Sequence, residues 1–215
     1  MIPNFLIIGA ARAGTTWIAK NLSCHPEIFI PKRKELHFFD ADYDKGMSFY
    51  LKLFEGKKDE KAVGEATPAY LHSKEVPGRI RKHLPDVRLI VCLRDQVDRL
   101  YSRYWHSKAR FAANRNLSFE EKILAKPEFV QEGYYYDHLQ NYYKIFPKEN
   151  LLILLFEDIK KNPTGLLQQI CEFLQVDTGF RFQLAEKKIN AASSKGFLSR
   201  SRSLWYVQKL LERAK

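Results

Sequence analysis

Between Gly9 and Thr16 the chain reads Gly-Ala-Ala-Arg-Ala-Gly-Thr-Thr. Small residues let the backbone bend tightly and expose its N–H groups, and a helix starting directly afterwards adds the positive end of its dipole. Such a turn holds a phosphate. Gly9 and Gly14 have the spacing of a Walker A loop, but Thr15 stands where nucleoside-triphosphate enzymes carry their lysine. Arg12, inside the loop, supplies a cation instead. Read by itself, the stretch also fits a plain glycine turn joining a strand to a helix.

A second anion-binding pattern lies in LRDQVDRLYSRYW, where Arg94 follows an apolar run and Ser102 comes eight residues later. A guanidinium and a hydroxyl suit a phosphate monoester. The competing assignment is a surface arginine paired with Asp95 or Asp98. A third stretch, Pro31 to Asp40 (PKRKELHFFD), mixes cations, a carboxylate, an imidazole and aromatic rings. A hydroxyl nucleophile needs a base, and Glu35 and His37 are both candidates; the alternative is a basic loop with an aromatic anchor. Late in the chain, Lys187 to Gly196 (KKINAASSKG) forms a basic, serine-bearing segment that reads by itself as a solvated loop.

These groups need elements to position them. Phe5–Ile8, Ala62–Glu65, Val87–Leu93 and Leu151–Phe156 read as strands, the third as a continuous apolar run suited to a central strand covered on both faces. Helices are expected at Thr15–Cys24, Val76–Leu84, Gln96–Ala109, Tyr134–Phe146 and Thr164–Leu174, with another from about Leu204. Strand and helix alternate, which argues for an α/β fold with a central parallel sheet flanked by helices. Ligands then gather at the C-terminal ends of the strands, where Gly9 and Arg94 fall. The aromatic run Tyr134–Tyr136, Tyr142 and Tyr143 is expected to pack a helix into the core, and Trp17 to pack near the first loop.

The 215 residues are enough for one domain with a sizeable core, read as spanning residues 1–215. The last residues, LLERAK, run out in a helical pattern, as in a chain cut short there. The net charge of +11 favours anionic partners. Cys24, Cys92 and Cys171 are odd in number and widely spaced, which argues against zinc and against a disulfide framework. Cys92 and Cys171 sit in apolar runs and read as core. The opening MIPNFLIIGAARAG lacks the basic region of a signal peptide, and no stretch approaches the ~18 apolar residues of a membrane span. A cytoplasmic location is expected. The histidines show no metal-ligand spacing such as HExxH.

GAARAGTTW resembles the 5′-phosphosulfate loop of the sulfotransferases that use 3′-phosphoadenosine 5′-phosphosulfate (PAPS). LRDQVDRLYSRYW is similar to that family's 3′-phosphate motif, and KELHFFD to the K-E-x-H-F-F-D segment of its heparan-type members. The likeness runs in order from Gly9 to Gly196. It implies a P-loop nucleotide-kinase-like sulfotransferase fold and in-line transfer of a sulfuryl group from PAPS to a hydroxyl or amine, leaving adenosine 3′,5′-bisphosphate, with no metal. It implies that Glu35 is the base, with Arg12 and His37 also at the reacting centre. Arg12, Ala13, Gly14, Thr15, Thr16 and Trp17 would hold the 5′ end of the donor. Arg94, Ser102, Lys195 and Gly196 would hold its 3′-phosphate. Lys34, His37 and Asp40 would meet the acceptor, a small molecule or a glycan. GEATPAYL, Gly64 to Leu71, also has a counterpart in the family, although several glycan-modifying members carry lysine where Ala66 stands here. Nucleic acid is not an expected partner. Two other classes compete: an ATP-dependent P-loop phosphotransferase, which the missing lysine opposes, and a basic, non-catalytic module binding RNA or acidic glycan.

Overall fold

A computed structural model describes residues 2–110 and 116–185. The segments from Lys187 to Gly196 and from Leu204 onward therefore lie outside the described residues. The chain divides into two compact units, whose described parts are residues 2–94 with 134–185, and residues 95–110 with 116–133.

The first unit is organised on a five-stranded sheet formed by β1 (Phe5–Gly9), β2 (Ile28–Phe29), β3 (Ala62–Ala66), β4 (Arg88–Leu93) and β5 (Leu151–Leu155). All recorded pairings are parallel, and the order is β2-β3-β1-β4-β5. This is the parallel sheet that the alternating pattern predicts. Its strands are apolar at successive positions because both faces are covered. Leu6, Ile8, Leu89 and Val91 enter one core layer, with α3 (Val76–His83), α7 (Tyr135–Tyr143) and the rings of Phe38, Phe39 and Tyr50. Phe5, Ile7, Ile90 and Cys92 enter the other, beneath α1 (Thr15–Leu22) and α9 (Pro163–Leu174). Each aliphatic side chain so buried contributes about 1.5–3 kcal/mol. Cys92 and Cys171 are core residues as expected, and burial raises both thiol pKa values, Cys171 to about 11. Gly64 is required where β3 passes β1, because a Cβ there would lie 2.2 Å from the Phe5 carbonyl oxygen.

Several details differ from the expectation. The two-residue edge strand β2 and the short helix α2 (Gly46–Lys52) carry too little periodicity to be read. The last strand stops at Leu155, and Phe156 opens α8 (Phe156–Lys161) instead of ending the strand. The aromatic run divides: Tyr142 is buried with its hydroxyl donating to the Tyr70 carbonyl (2.8 Å), while Tyr136 is 75% exposed.

The second unit holds α4 (Gln96–Arg110), α5 (Phe119–Ala125) and α6 (Glu128–Gln131). Its polar centre is Arg99, buried and paired with Glu132 (3.2 Å), which also receives Arg103 (3.1 Å). Ser118 and Glu121 form a reciprocal capping box at the start of α5.

Candidate active site

The loop after β1 is built from main chain. The Ala10 N–H donates to the Cys92 carbonyl at the end of β4 (2.8 Å), and the Ala13 N–H to Ala10 within the turn (3.2 Å). Gly14 has φ +87°, and a Cβ there would lie 2.6 Å from the Ile159 Cδ1, so both conformation and space call for glycine. No side chain caps α1, and Ile18 N–H donates to the Gly14 carbonyl (3.0 Å). The amides of Thr15, Thr16 and Trp17 precede that bond and have no intrahelical acceptor, and they sit at the positive end of the helix dipole. This donor set fits an anionic phosphate oxygen. Two predicted contacts are narrowed: the Ala13 amide is engaged inside the turn, and the Trp17 ring is buried in the core, leaving its main chain to face a ligand. Arg12 sits in the loop at φ +69°.

The turn from Lys34 to Asp40 uses side chains. Lys34 Nζ donates to Thr16 Oγ1 and lies 3.0 Å from Glu35 Oε1, tying the turn to the loop. His37 Nε2 is 3.6 Å from Glu35 Oε2, and its Nδ1 is 2.8 Å from Asp40 Oδ2. Asp40 thereby orients the ring as acceptor of the Nδ1 proton. The Glu35 side chain is 40% exposed, open to an incoming hydroxyl. Ion pairs this exposed contribute only about 0–1 kcal/mol, so their effect is orientation more than stability. Glu35 and His37 both hold left-handed backbone angles, φ +58° and +55°. Such residues cost roughly 1–3 kcal/mol each and persist where the surroundings fix them. One fixing contact is visible here: the His37 N–H donates to Thr67 Oγ1 (3.3 Å).

Arg94 follows β4. Its Nη1 donates to the Arg12 carbonyl (3.1 Å), its guanidinium stacks 4.3 Å over the Phe156 ring, and its own carbonyl accepts from the Tyr135 hydroxyl (3.1 Å). Arg94 therefore belongs with the loop. Ser102 is buried on α4 in the second unit. Lys195 and Gly196 lie outside the described residues. The first unit thus brings together Arg12, Thr15, Thr16, Lys34, Glu35, His37, Asp40 and Arg94. The GEATPAYL likeness includes Thr67 but does not reveal its bond to His37, 30 residues away, and Phe156, which reads as strand, carries no sign of its contact with Arg94. Among the described residues, no group of three or more His, Cys, Asp or Glu could hold a metal ion. None of the described helices is long and apolar enough to cross a membrane.

Comparison with known proteins converges on one family. The family model for the sulfotransferase domain matches residues 3–209. Human heparan sulfate glucosamine 3-O-sulfotransferase 3B1 is 30% identical over 203 residues, covering 91% of this chain and 51% of that protein. The chain therefore spans about half the length of the curated relatives it matches. A sulfotransferase structure from Alicyclobacillus acidocaldarius superimposes with a TM-score of 0.76 at 29% identity, covering 99% of this chain and 96% of the other. Mouse sulfotransferase SULT7A1, solved with PAP, shares the fold at 16% identity and a TM-score of 0.58, covering 99% of this chain and 64% of that one. With a strand, a phosphate-type loop and a carboxylate turn arranged in one unit, and this match across nearly its whole length, the chain belongs to the sulfotransferase domain family.

Proposed function

We propose that the protein transfers a sulfuryl group from PAPS to a hydroxyl or amine of an acceptor, with a glycan as the favoured class. The observation that carries the reading is the Lys34 bridge, which joins the loop through Thr16 to the turn through Glu35. The donor supplies the sulfuryl group and departs as adenosine 3′,5′-bisphosphate. The Thr15 and Thr16 amides and hydroxyls, with Arg12, stabilise the charge developing on the 5′-phosphate side. Glu35 takes the acceptor proton, with His37 held beside it by Asp40. Arg94 recognises the 3′-phosphate, and the family resemblance assigns Ser102, Lys195 and Gly196 to the same group. Catalysis rests on positioning and fixed charge.

A groove of about 940 Å³ supports the glycan assignment. It runs from Thr16 past Lys20, Lys32, Arg33 and Lys34, all four exposed. Those cations and the net charge of +11 suit an acidic polymer. The heparan sulfate relative supports the same acceptor class. The free cysteines Cys24, Cys92 and Cys171 fit a cytoplasmic, reducing setting.

Calorimetric titration with adenosine 3′,5′-bisphosphate, AMP and ATP tests the donor. Binding that depends on the 3′-phosphate and weakens in Arg94→Ala is expected; preference for ATP would overturn the assignment. Incubation with PAPS and either a heparan-type glycan or a small phenol tests the acceptor, with the sulfate mass increment expected on the glycan.

A further inference from the structure

We propose that Glu65, a residue placed away from any substrate, fixes the backbone of the Glu35–His37 turn and so positions the proton-accepting carboxylate. The role in catalysis rests on the transfer reaction proposed above.

Glu65 lies on β3 and is 1% exposed. Two residues earlier, Val63 enters the apolar layer that holds Phe38, Phe39 and Tyr50, so strand alternation sends Glu65 toward the same layer. An apolar residue would suit that place. A buried carboxylate persists only when donors surround it. Here the Thr67 hydroxyl donates to Oε2 (2.6 Å), and the Tyr70 and Tyr50 hydroxyls donate to Oε1 (2.8 and 3.3 Å). The Leu36 backbone amide also lowers the carboxyl pKa. Burial raises the carboxyl pKa, and these donors pull it back.

The donors converge on one turn. Leu36 stands between Glu35 and His37, the two left-handed residues, and its amide favours the ionised form of Glu65. The His37 amide reaches Glu65 through Thr67 (3.3 Å, then 2.6 Å). The Phe39 amide reaches it through the Tyr70 hydroxyl (3.2 Å, then 2.8 Å). One carboxylate therefore organises three amides within four residues of the catalytic turn. Arg79 holds the far end by donating to the Phe39 and Asp40 carbonyls (2.8 and 3.2 Å). The left-handed pair is in this way fixed from inside the core, and the Glu35 side chain inherits its direction from it.

The test uses Glu65→Gln, which keeps the volume but sets an NH2 group against donors. Amide hydrogen exchange gives a readout that needs no substrate. Protection at Leu36, His37 and Phe39 is expected to fall at least about tenfold, as for loss of one hydrogen bond, with β1 and β4 amides unchanged. On the same samples kcat is expected to fall about tenfold or more, while the affinity for adenosine 3′,5′-bisphosphate holds. In a Glu35→Gln background the added loss should vanish, because Glu65 acts through Glu35. Unchanged exchange at Leu36 and His37 overturns the proposal, and so does a kcat loss that persists undiminished in the Glu35→Gln background. Should Glu65→Gln fail to fold, Thr67→Val replaces it: exchange rises at His37 and not at Leu36, and the opposite pattern overturns the proposal. A wild-type protein without PAPS-dependent transfer would sink the functional reading alone, leaving exchange to decide whether Glu65 sets the turn.

Discussion

From Ala10 to Thr16 the site offers main-chain amides on residues that are small apart from the left-handed Arg12; from Lys34 to Asp40 it offers charged side chains on a backbone with two left-handed residues, Glu35 and His37. The loop's shape comes mainly from nearby residues, such as Gly14 at φ +87°, and from one bond to the neighbouring strand. The turn's shape comes from partners about thirty residues away, Thr67 and Tyr70. A main-chain cradle binds a group that is the same in every turnover, and it tolerates little side-chain variation. A side-chain turn can be retuned to its acceptor, provided the core beneath it stays fixed.

The largest effect should come from the turn. Glu35→Gln is expected to lower kcat roughly 10³-fold, within the range for loss of a general base, with adenosine 3′,5′-bisphosphate affinity within about twofold by calorimetry. If activity survives, His37 becomes the better base. Arg12→Ala in the loop should lower kcat about 10²-fold with little change in Tm; full activity would remove the loop from the reaction. Gly14→Ala should cost roughly 1–3 kcal/mol in urea unfolding for its positive φ, more if Ile159 cannot move aside, and should weaken nucleotide binding. An unchanged midpoint would mean that the loop is less constrained than its geometry implies. Lys34→Ala, which removes only a half-exposed bridge, should change stability by less than about 1 kcal/mol and raise the acceptor KM more than the donor's.

The smallest effect is a pH dependence. Burial raises the Glu65 carboxyl above its ordinary 4.5, so the folded chain holds this proton to higher pH than the unfolded chain does. Its contribution to stability is complete below about 4.5 and is lost as pH rises through the folded value. The Tm of the wild type relative to Glu65→Gln should therefore be most favourable near pH 4 and decline toward pH 8. A difference that grows with pH would reverse the assigned direction.

The contrast also explains what could be read in advance. The loop was legible because its glycines, its arginine and the following helix are contiguous. The inner strands were legible because two covered faces leave long apolar runs such as VRLIVCL. Motifs point to Glu35, His37, Asp40 and Arg94, yet nothing local reveals that Thr67 and Glu65 bond to the turn, because a strand glutamate looks like any solvent-facing one. Phe156 reads as the end of an apolar strand, whereas it starts a helix and stacks on Arg94. The β2 edge was missed because two residues show no period.

The strand order has a consequence for how the molecule is made. The phosphate loop leaves the ribosome well before β4, but β1 is central, with β3 on one side and β4 on the other. The first loop amide is anchored by Cys92, more than eighty residues downstream. A nascent chain that ends before Arg88 has the loop's whole sequence and lacks the strand that holds it. Such distant pairing delays folding, because chain ends must meet before contacts stabilise them. Stalled chains ending before β4 should therefore bind no nucleotide, and those extending past Leu155 should be the first with every strand of the sheet available.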